Sequence, residues 1–231
     1  MDTTRSAFIL GMREVSPMLL GVLPFGVICG AVCSGVGMPE WSAAGMSVII
    51  FAGASQLAAI QLMTENASLP VVILTGLIIN ARFLMYSVSI ASHFNGIGAG
   101  RKCILSYFLT DQSYAISMNR FAVAEYSQRL KVAYYMGNAC IMWVAFNATT
   151  VLGAYLGAII PPEWNLDFAV PLTFTALVIP AVKDRPALLA AVVSGVVAYF
   201  ADPLPYNLGL ITAAVCGIVV GYVAEGRKSN G

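Results

Sequence analysis

Apolar stretches recur along the whole of this chain, and most are long enough to cross about 30 Å of hydrocarbon as a helix of about 20 residues. The 231 residues are 59% hydrophobic and 10% charged, whereas about 25% of the residues in a soluble domain are charged. The sequence therefore predicts a polytopic integral membrane protein. The stretches with little or no charge are Val15–Val36, Trp41–Thr64, Leu69–Ser92, Cys103–Asn119, Val132–Ile160, Phe168–Val182, Pro186–Ala201 and Tyr206–Ala224.

The fold class follows from the lack of water inside a bilayer. Every backbone N–H and C=O group there must be paired within its own segment, so the spanning segments are helices. We expect an all-α bundle of about seven to eight transmembrane helices, some of them broken or re-entrant. Prolines and glycines suggest where helices break or pack closely, and the candidates are Pro24, Gly26, Gly53, Pro171 and Pro180.

Basic residues in the loops indicate which side of the membrane each loop occupies. Lys and Arg concentrate on the cytoplasmic side, and here they cluster near residues 5–13, 120–131, 183–185 and 227–228. We expect a cytoplasmic segment at 1–14, a single transmembrane domain at 15–224 with possible halves at 15–120 and 132–224, and a cytoplasmic tail at 225–231. Arg101 and Lys102 disagree with eight spans, either as a tolerated exception or because the segments around them do not fully cross.

Several functional classes find no support in the sequence. The net charge of +1 offers no basic face for nucleic acid, and the chain has no P-loop for a nucleotide. It has neither a nucleophile-elbow motif nor a zinc-protease motif, so we do not expect an enzyme. Cys29 and Cys33 are spaced for one helix face but lack further ligands, and neither a metal nor another cofactor is expected.

Two charged residues inside apolar segments are the first candidates for a site: Arg82 in the third segment and Asp111 in the fourth. A charge near the bilayer centre costs at least about 2.5–3.5 kcal/mol, so such residues are functional candidates by default. They could line a polar cavity and pair with each other or with a substrate, or they could form a structural salt bridge, although a buried pair often only offsets its desolvation cost. Asp111 is also a candidate for proton coupling, because burial disfavours a charged carboxylate.

The second apolar segment contains a run of small and polar residues. Gly53 and its alanine neighbours let helix backbones approach each other. Ser55 and Gln56 bring hydrogen-bonding groups to the middle of the segment. Close packing and substrate lining are both open interpretations, and Gln56 is the harder of the two residues to explain by packing alone.

Four motifs follow one another along the first half of the chain: Leu23–Gly26 (LPFG), Phe51–Gln56 (FAGASQ), Asn80–Arg82 (NAR) with Leu84–Ser87 (LMYS), and Leu109–Gln112 (LTDQ). In their order and spacing they resemble the AzlC family, the large subunit of branched-chain amino-acid exporters. A later segment, Asp167–Pro171 with Phe174, looks like the family's C-terminal segment, so the resemblance covers about residues 15–224. The motifs add Asn80, Tyr86 and Gln112 to the candidate substrate-binding or coupling residues.

The resemblance implies a secondary transporter that exports branched-chain or similar small apolar amino acids across a bacterial inner membrane. The basic residues in the loops predict that both termini lie in the cytoplasm. The resemblance also implies a partner, a small AzlD-like membrane subunit. A zwitterionic amino acid needs a cation or a helix N-terminus for its carboxylate, a carboxylate or a carbonyl for its ammonium group, and an apolar pocket for its side chain. Arg82, Asp111 and their apolar neighbours could supply all three. The alternatives are a small organic-anion or metabolite permease that uses Arg82, and a non-catalytic membrane scaffold subunit.

Overall fold

The computed structural model describes residues 3–123, 125–159, 182, 184–201 and 208–229, and within these ranges the secondary structure is helical without any strand. The all-α class is therefore confirmed. The helices are α1 Thr4–Val15, α2 Leu19–Gly35, α3 Glu40–Ile50, α4 Gly53–Thr64, α5 Leu69–Asn80, α6 Arg82–Ala91, α7 Ala99–Tyr107, α8 Asp111–Val123, α9 Gln128–Ile159, α10 Arg185–Ala201 and α11 Leu208–Ser229. The 3₁₀ turns Ser16–Met18 and Ser92–Phe94 follow α1 and α6.

Within the described ranges, two continuous helical stretches are long and apolar enough to cross a bilayer, Thr4–Gly35 and Gln128–Ile159. A third is a bent pair, Leu69–Asn80 with Arg82–Phe94, whose halves meet at 41°. The seven to eight spans stay a prediction, since Phe168–Val182 with Pro171 and Pro180 lies almost entirely outside the described residues.

The chain forms two compact units. The first consists of Met1–Gln56 and Ile79–Trp164, and the second of Leu57–Ile78 and Asn165–Gly231. In the second unit α10 and α11 run antiparallel, because Gly217 lies against Ser194 while Gly221, further along α11, lies against Ala190. The candidate residues Ser55, Gln56, Asn80, Tyr86, Arg82, Asp111 and Gln112 all belong to the first unit.

In the first unit α1 and α2 pack along α9 in the same direction. Gly11 lies against the backbone of Tyr134, and Gly30, further along, lies against the backbone of Thr150. Because later residues of α1 and α2 contact later residues of α9, the α1–α2 stretch and α9 are parallel. Glycine is needed at both positions, since a Cβ atom on either would collide with a backbone carbonyl of α9. Ala7 and Val15 of α1 are also buried, so the first helical stretch begins well before residue 15.

The predicted break at Pro24 is wrong. Pro24 lies inside α2, which stays continuous from Leu19 to Gly35. A proline removes one backbone donor, but helices in membranes tolerate this when neighbouring groups compensate. The irregular turn lies earlier, at Ser16–Met18. Gly26 acts by close packing, because a Cβ atom there would collide with the side chain of Thr149 on α9.

The predicted fourth span, Cys103–Asn119, is a helical hairpin instead of a straight helix. Three hydrogen bonds to α9 trace its path: the Tyr135 hydroxyl to the Leu105 carbonyl at 2.8 Å, Trp143 Nε1 to the Tyr107 hydroxyl at 2.8 Å, and Asn138 Nδ2 to Ser117 Oγ at 3.0 Å. α7 thus runs along α9 as far as Trp143, near the middle of that 32-residue helix, and α8 returns.

The base of this hairpin lies beside the start of α9. Gln128 Nε2 donates a hydrogen bond to the carbonyl of Asn95. Arg101 borders the same groove as Thr4 and Arg129. The loop with Arg101 and Lys102 therefore lies at the end of the first unit where α1 and α9 begin.

Candidate functional site

The side chains of Arg82 and Asp111 form an ion pair, with Nη1 and Oδ2 3.0 Å apart. Each is the first residue of a helix, α6 and α8 respectively. Ala81 separates α6 from α5, and the non-helical residues before Asp111 form the tip of the α7–α8 hairpin. The pair therefore joins two helix breaks, where the sequence alone places only two isolated charges.

Thr110 and Ser113 explain why α8 begins at Asp111. The Thr110 N–H donates to Ser113 Oγ at 2.8 Å, and the Ser113 N–H donates to Thr110 Oγ1 at 3.2 Å. This reciprocal capping satisfies two backbone donors at the start of the helix. A carboxylate in the first turn is favoured by the helix dipole, so Asp111 is stabilised as an anion by its own helix.

The helix dipole has the opposite effect on Arg82. A cation in the first turn of a helix is disfavoured by the helix dipole, yet Arg82 is the first residue of α6. Two contacts compensate, the salt bridge to Asp111 at 3.0 Å and the ring of Phe83, whose centroid lies 5.2 Å from Cζ of Arg82. The stability of α6 alone therefore does not explain an arginine at this position.

The ion pair keeps unused hydrogen-bonding capacity. Nε of Arg82 and Oδ1 of Asp111 are buried without a hydrogen-bond partner. The two side chains as a whole are nevertheless 40% and 37% exposed. A small molecule can therefore reach the exposed parts of the two side chains, whereas the two unpartnered atoms are buried beneath them.

Aromatic side chains border the pair. The rings of Tyr86 and Tyr114 stack with their centroids 4.5 Å apart, and the Tyr114 hydroxyl donates a hydrogen bond to Ser89 Oγ at 2.9 Å. Tyr86 lies within electrostatic range of both charges of the pair. Gln112, the second residue of α8, is partly buried beside Asp111.

A second polar cluster surrounds the break between α3 and α4. Gln56 is fully buried, accepts a hydrogen bond from Ser47 Oγ at 3.1 Å and donates to the Ala43 carbonyl at 3.5 Å. In a straight helix the Cα atoms of residues 43 and 56 would lie about 20 Å apart, so the chain reverses at this break. Gln56 thus holds the reversal together and has no free face for a substrate.

Ser55 connects this cluster to the ion pair. Its hydroxyl lies 2.7 Å from Oδ1 of Asn80. Asn80 ends α5 and Arg82 begins α6, with Ala81 between them. The break at Ala81 is therefore flanked by Asn80, which contacts Ser55, and by Arg82, which belongs to the ion pair.

Backbone geometry marks the reversal between α3 and α4. Phe51 has a left-handed backbone with φ of 41°, which is unusual for a bulky residue. Its buried ring contacts Tyr107 at 6.2 Å and Phe146 at 6.0 Å between centroids. Gly53 begins α4 against the ring of Phe25, where a Cβ atom would collide. Tertiary packing therefore holds the strained residue in place.

The two turning points lie against each other. The Tyr107 hydroxyl, at the tip of the α7–α8 hairpin, donates to the carbonyl of Val48 at 2.5 Å. Trp143 of α9 in turn donates to the same hydroxyl at 2.8 Å. The α3–α4 reversal and the α7–α8 tip thus meet near the middle of α9.

One charged cluster was missed by the sequence analysis. Nη1 of Arg120 lies 3.2 Å from Oε1 of Glu14, and the Tyr134 hydroxyl donates to Oε2 of the same carboxylate. Their sequence positions, at the ends of apolar segments, suggested loops. The signal that could have found them is the apolar run Ala7–Met12, which places Glu14 inside a helix.

The chain is similar to a known protein family. The family described as AzlC protein matches residues 17–160. The chain belongs to the AzlC family. The resemblance in the four motifs is confirmed, and all four lie within the matched residues.

This AzlC-family chain is similar to several membrane proteins. It is 21% identical over 226 residues to the inner membrane protein YgaZ of Escherichia coli, covering 94% of this chain and 91% of YgaZ. It is 29% identical over 212 residues to an uncharacterized membrane protein of Archaeoglobus fulgidus, covering 90% of each. An uncharacterized membrane protein of Helicobacter pylori is 35% identical over 122 residues, which is 51% of this chain and 53% of that protein. No solved structure matches.

Among the described residues of this AzlC-family chain, no group of three or more His, Cys, Asp and Glu side chains could hold a metal ion. Cys29 and Cys33 are both buried in α2.

Proposed function

We propose that this chain is the large subunit of a two-component secondary transporter that exports branched-chain or similar small apolar amino acids across a bacterial inner membrane. The observation that carries the proposal is the accessible ion pair of Arg82 and Asp111, in which each side chain keeps one unpartnered polar atom. Membership of the AzlC family supports the same assignment.

The pair matches the charges of a zwitterionic amino acid. The guanidinium of Arg82 offers a fork of donors to a carboxylate, and the carboxylate of Asp111 accepts from an ammonium group. When the substrate binds, the ion pair between Arg82 and Asp111 is replaced by two ion pairs, one between Arg82 and the substrate carboxylate and one between Asp111 and the substrate ammonium group. The aromatic rings of Phe83, Tyr86 and Tyr114 provide the apolar surface for the side chain of the substrate.

Asp111 also provides a route to coupling. A protonated Asp111 would release Arg82 and lose its attraction for the substrate ammonium, so proton binding and substrate binding compete at one carboxylate. Competition of this kind links a proton gradient to the movement of a substrate in the opposite direction. The export of amino acids against their gradient then follows from protonation on one side and release on the other.

The breaks between helices are the parts of the chain that would move during transport. The reversal at Phe51 and the hairpin tip before Asp111 touch through Tyr107 and Val48. Discontinuous helices that meet near the midplane are the usual setting of a transporter site. A shift of either turning point changes the contact between them, and access to the pair changes with it.

The small AzlD-like subunit belongs to the same proposal. Many large apolar side chains of the first unit are exposed on its helices, among them Leu20, Ile49, Leu84 and Val88. Lipid covers such faces in a membrane, and a small membrane partner can cover part of them. We do not assign an enzymatic activity to the chain.

The test is efflux of labelled valine, leucine and methionine from preloaded proteoliposomes that contain this chain with or without a small AzlD-like subunit. The proposal expects efflux that requires both subunits and that unlabelled valine inhibits. Inhibition by small organic anions but not by valine would instead support an anion permease that uses Arg82. Efflux from neither preparation, with an intact complex, would support a scaffold subunit.

A further inference from the structure

A large groove opens at the end of the first unit where α1, α7 and α9 begin. Its volume is about 1070 Å³, and we call it the basic groove. The residues that line it are Thr4, Gly96, Ile97, Gly98, Gly100, Arg101, Ile104, Leu105, Gln128, Arg129, Val132, Ala133 and Met136. None of the site residues discussed above takes part in it.

The mouth of the basic groove is positively charged. Arg101 and Arg129 line it, and the described lining residues include no acidic side chain. Neither arginine forms a salt bridge with any described residue. Two charges of the same sign thus line one groove without a salt bridge to the described part of the protein.

Backbone N–H groups add to the positive charge at the mouth of the groove. The N-termini of helices carry partial positive charge and free N–H groups. Gly98, the residue before α7, makes no side-chain cap, and Gly98 and Gly100 both line the groove. Gly96, which also lines the groove, has φ of 79°, a left-handed conformation that favours glycine.

The floor of the groove is apolar. Ile104 on α7 and Val132 and Met136 on α9 lie further along their helices than Arg101 and Arg129 do. Because α7 and α9 run in the same direction, the charged residues lie nearest the end of the bundle and the apolar residues lie deeper. A phospholipid has the same order of polarity, with the phosphate outside and the acyl chain inside.

We propose that the basic groove binds an anionic phospholipid, with its phosphate between Arg101 and Arg129 and an acyl chain along Ile104 and Met136. Basic pockets between membrane helices on the cytoplasmic side are suited to such headgroups. A free phosphate ion would use the arginines but not the apolar floor. The excess of Lys and Arg at this end of the first unit agrees with the cytoplasmic side.

The experiment is native mass spectrometry of the purified full-length chain with phosphatidylglycerol, phosphatidylcholine or inorganic phosphate added. We expect one retained phosphatidylglycerol that phosphatidylcholine and phosphate do not displace. The double variant R101Q/R129Q should weaken this binding about thirtyfold, which is the contribution of two cations near an anionic surface. The matched control R13Q/R185Q also removes two positive charges but leaves the groove intact, and should bind as the wild type does.

A second variant separates the headgroup from the acyl chain. Ile104 is 56% exposed, so I104Q should leave the fold intact while making the floor polar. It should reduce retention of phosphatidylglycerol severalfold. Equal binding of phosphatidylglycerol to the wild type and to R101Q/R129Q would overturn the proposal. So would the loss of a small membrane subunit from R101Q/R129Q with unchanged lipid binding, because the groove would then be a protein interface.

Discussion

Arg82 and Asp111 face each other across two helix breaks, with Nη1 and Oδ2 3.0 Å apart and each residue at the start of its helix. The dipole of α8 stabilises the carboxylate, whereas the dipole of α6 disfavours the guanidinium. Arg82 therefore depends on the ion pair for its stabilisation more than Asp111 does. This asymmetry makes the pair suited to exchange partners with a zwitterion.

Asp111→Asn should separate exchange from coupled transport. The amide keeps the size of the side chain and one hydrogen-bond acceptor but cannot be protonated at neutral pH. In reconstituted vesicles we expect an imposed pH gradient to stop accelerating valine efflux. Residual exchange of valine for valine should be slower by about tenfold or more, since a charge-assisted hydrogen bond contributes about 1.5–3 kcal/mol.

The matched control is Glu40→Gln, which neutralises an exposed carboxylate in the first turn of α3. It should leave both efflux and its response to pH unchanged. A pH response that persists in Asp111→Asn would show that another group couples transport.

Gly30→Ala should destabilise the first unit. A Cβ atom there would collide with the backbone of Thr150, and overpacking of this kind costs about 1–3 kcal/mol. Gly21→Ala in the same helix is the control, because the space around its Cβ position is open within 4 Å. Thermal unfolding in detergent should show a lower midpoint for Gly30→Ala only. Equal midpoints would mean that α2 and α9 do not pack as described.

Gln56→Leu should affect stability and not substrate choice. The change leaves Ser47 Oγ and the Ala43 carbonyl without their partner, and a buried unsatisfied group costs about 1–3 kcal/mol. Gln61→Leu, at an exposed position of α4, is the control. We expect a lower unfolding midpoint with the same order of preference among valine, leucine and methionine. An altered preference at unchanged stability would return Gln56 to the substrate site.

The natural Cys103 can test the orientation of the α7–α8 hairpin. Cys103 is exposed on α7, close to the base of the hairpin. In a variant with the other four cysteines replaced by serine, a membrane-impermeant maleimide should label Cys103 from the cytoplasmic side only. Single cysteines at Thr4 and Glu40 mark the two ends of the first unit. If Cys103 is labelled from the same side as the cysteine at position 40, Cys103–Asn119 is a complete span as the sequence predicted.

The membrane class and the charged candidates were predictable from sequence because they depend on local physics. Apolar length identifies helices in a bilayer, and a charge inside such a length stands out, as Arg82 and Asp111 do. Their contact was not predictable, because it depends on where the α7–α8 hairpin turns. That turn contains neither Gly nor Pro, only the residues Phe108–Thr110 between two helices.

Helix breaks were the least predictable feature. The sequence suggested Pro24, whereas α2 continues through it. The observed reversal lies at Phe51, whose left-handed backbone is held by aromatic packing against Tyr107 and Phe146. Local propensity does not favour a break at a phenylalanine, so only the tertiary contacts explain it. Glu14 was likewise missed because its partner, Arg120, lies far away in sequence.

Valine counterflow in proteoliposomes that contain the uncharged variant Arg82→Gln/Asp111→Asn, reconstituted with the small subunit, shows whether the pair binds the substrate. The two amides can still hydrogen-bond across the helix breaks, so the fold and the complex should persist, as gel filtration would show. We expect uptake of labelled valine to fall to the level of empty vesicles. Counterflow at the wild-type rate would contradict it, because the pair would then be a structural tie between helices and the amino acid would bind elsewhere.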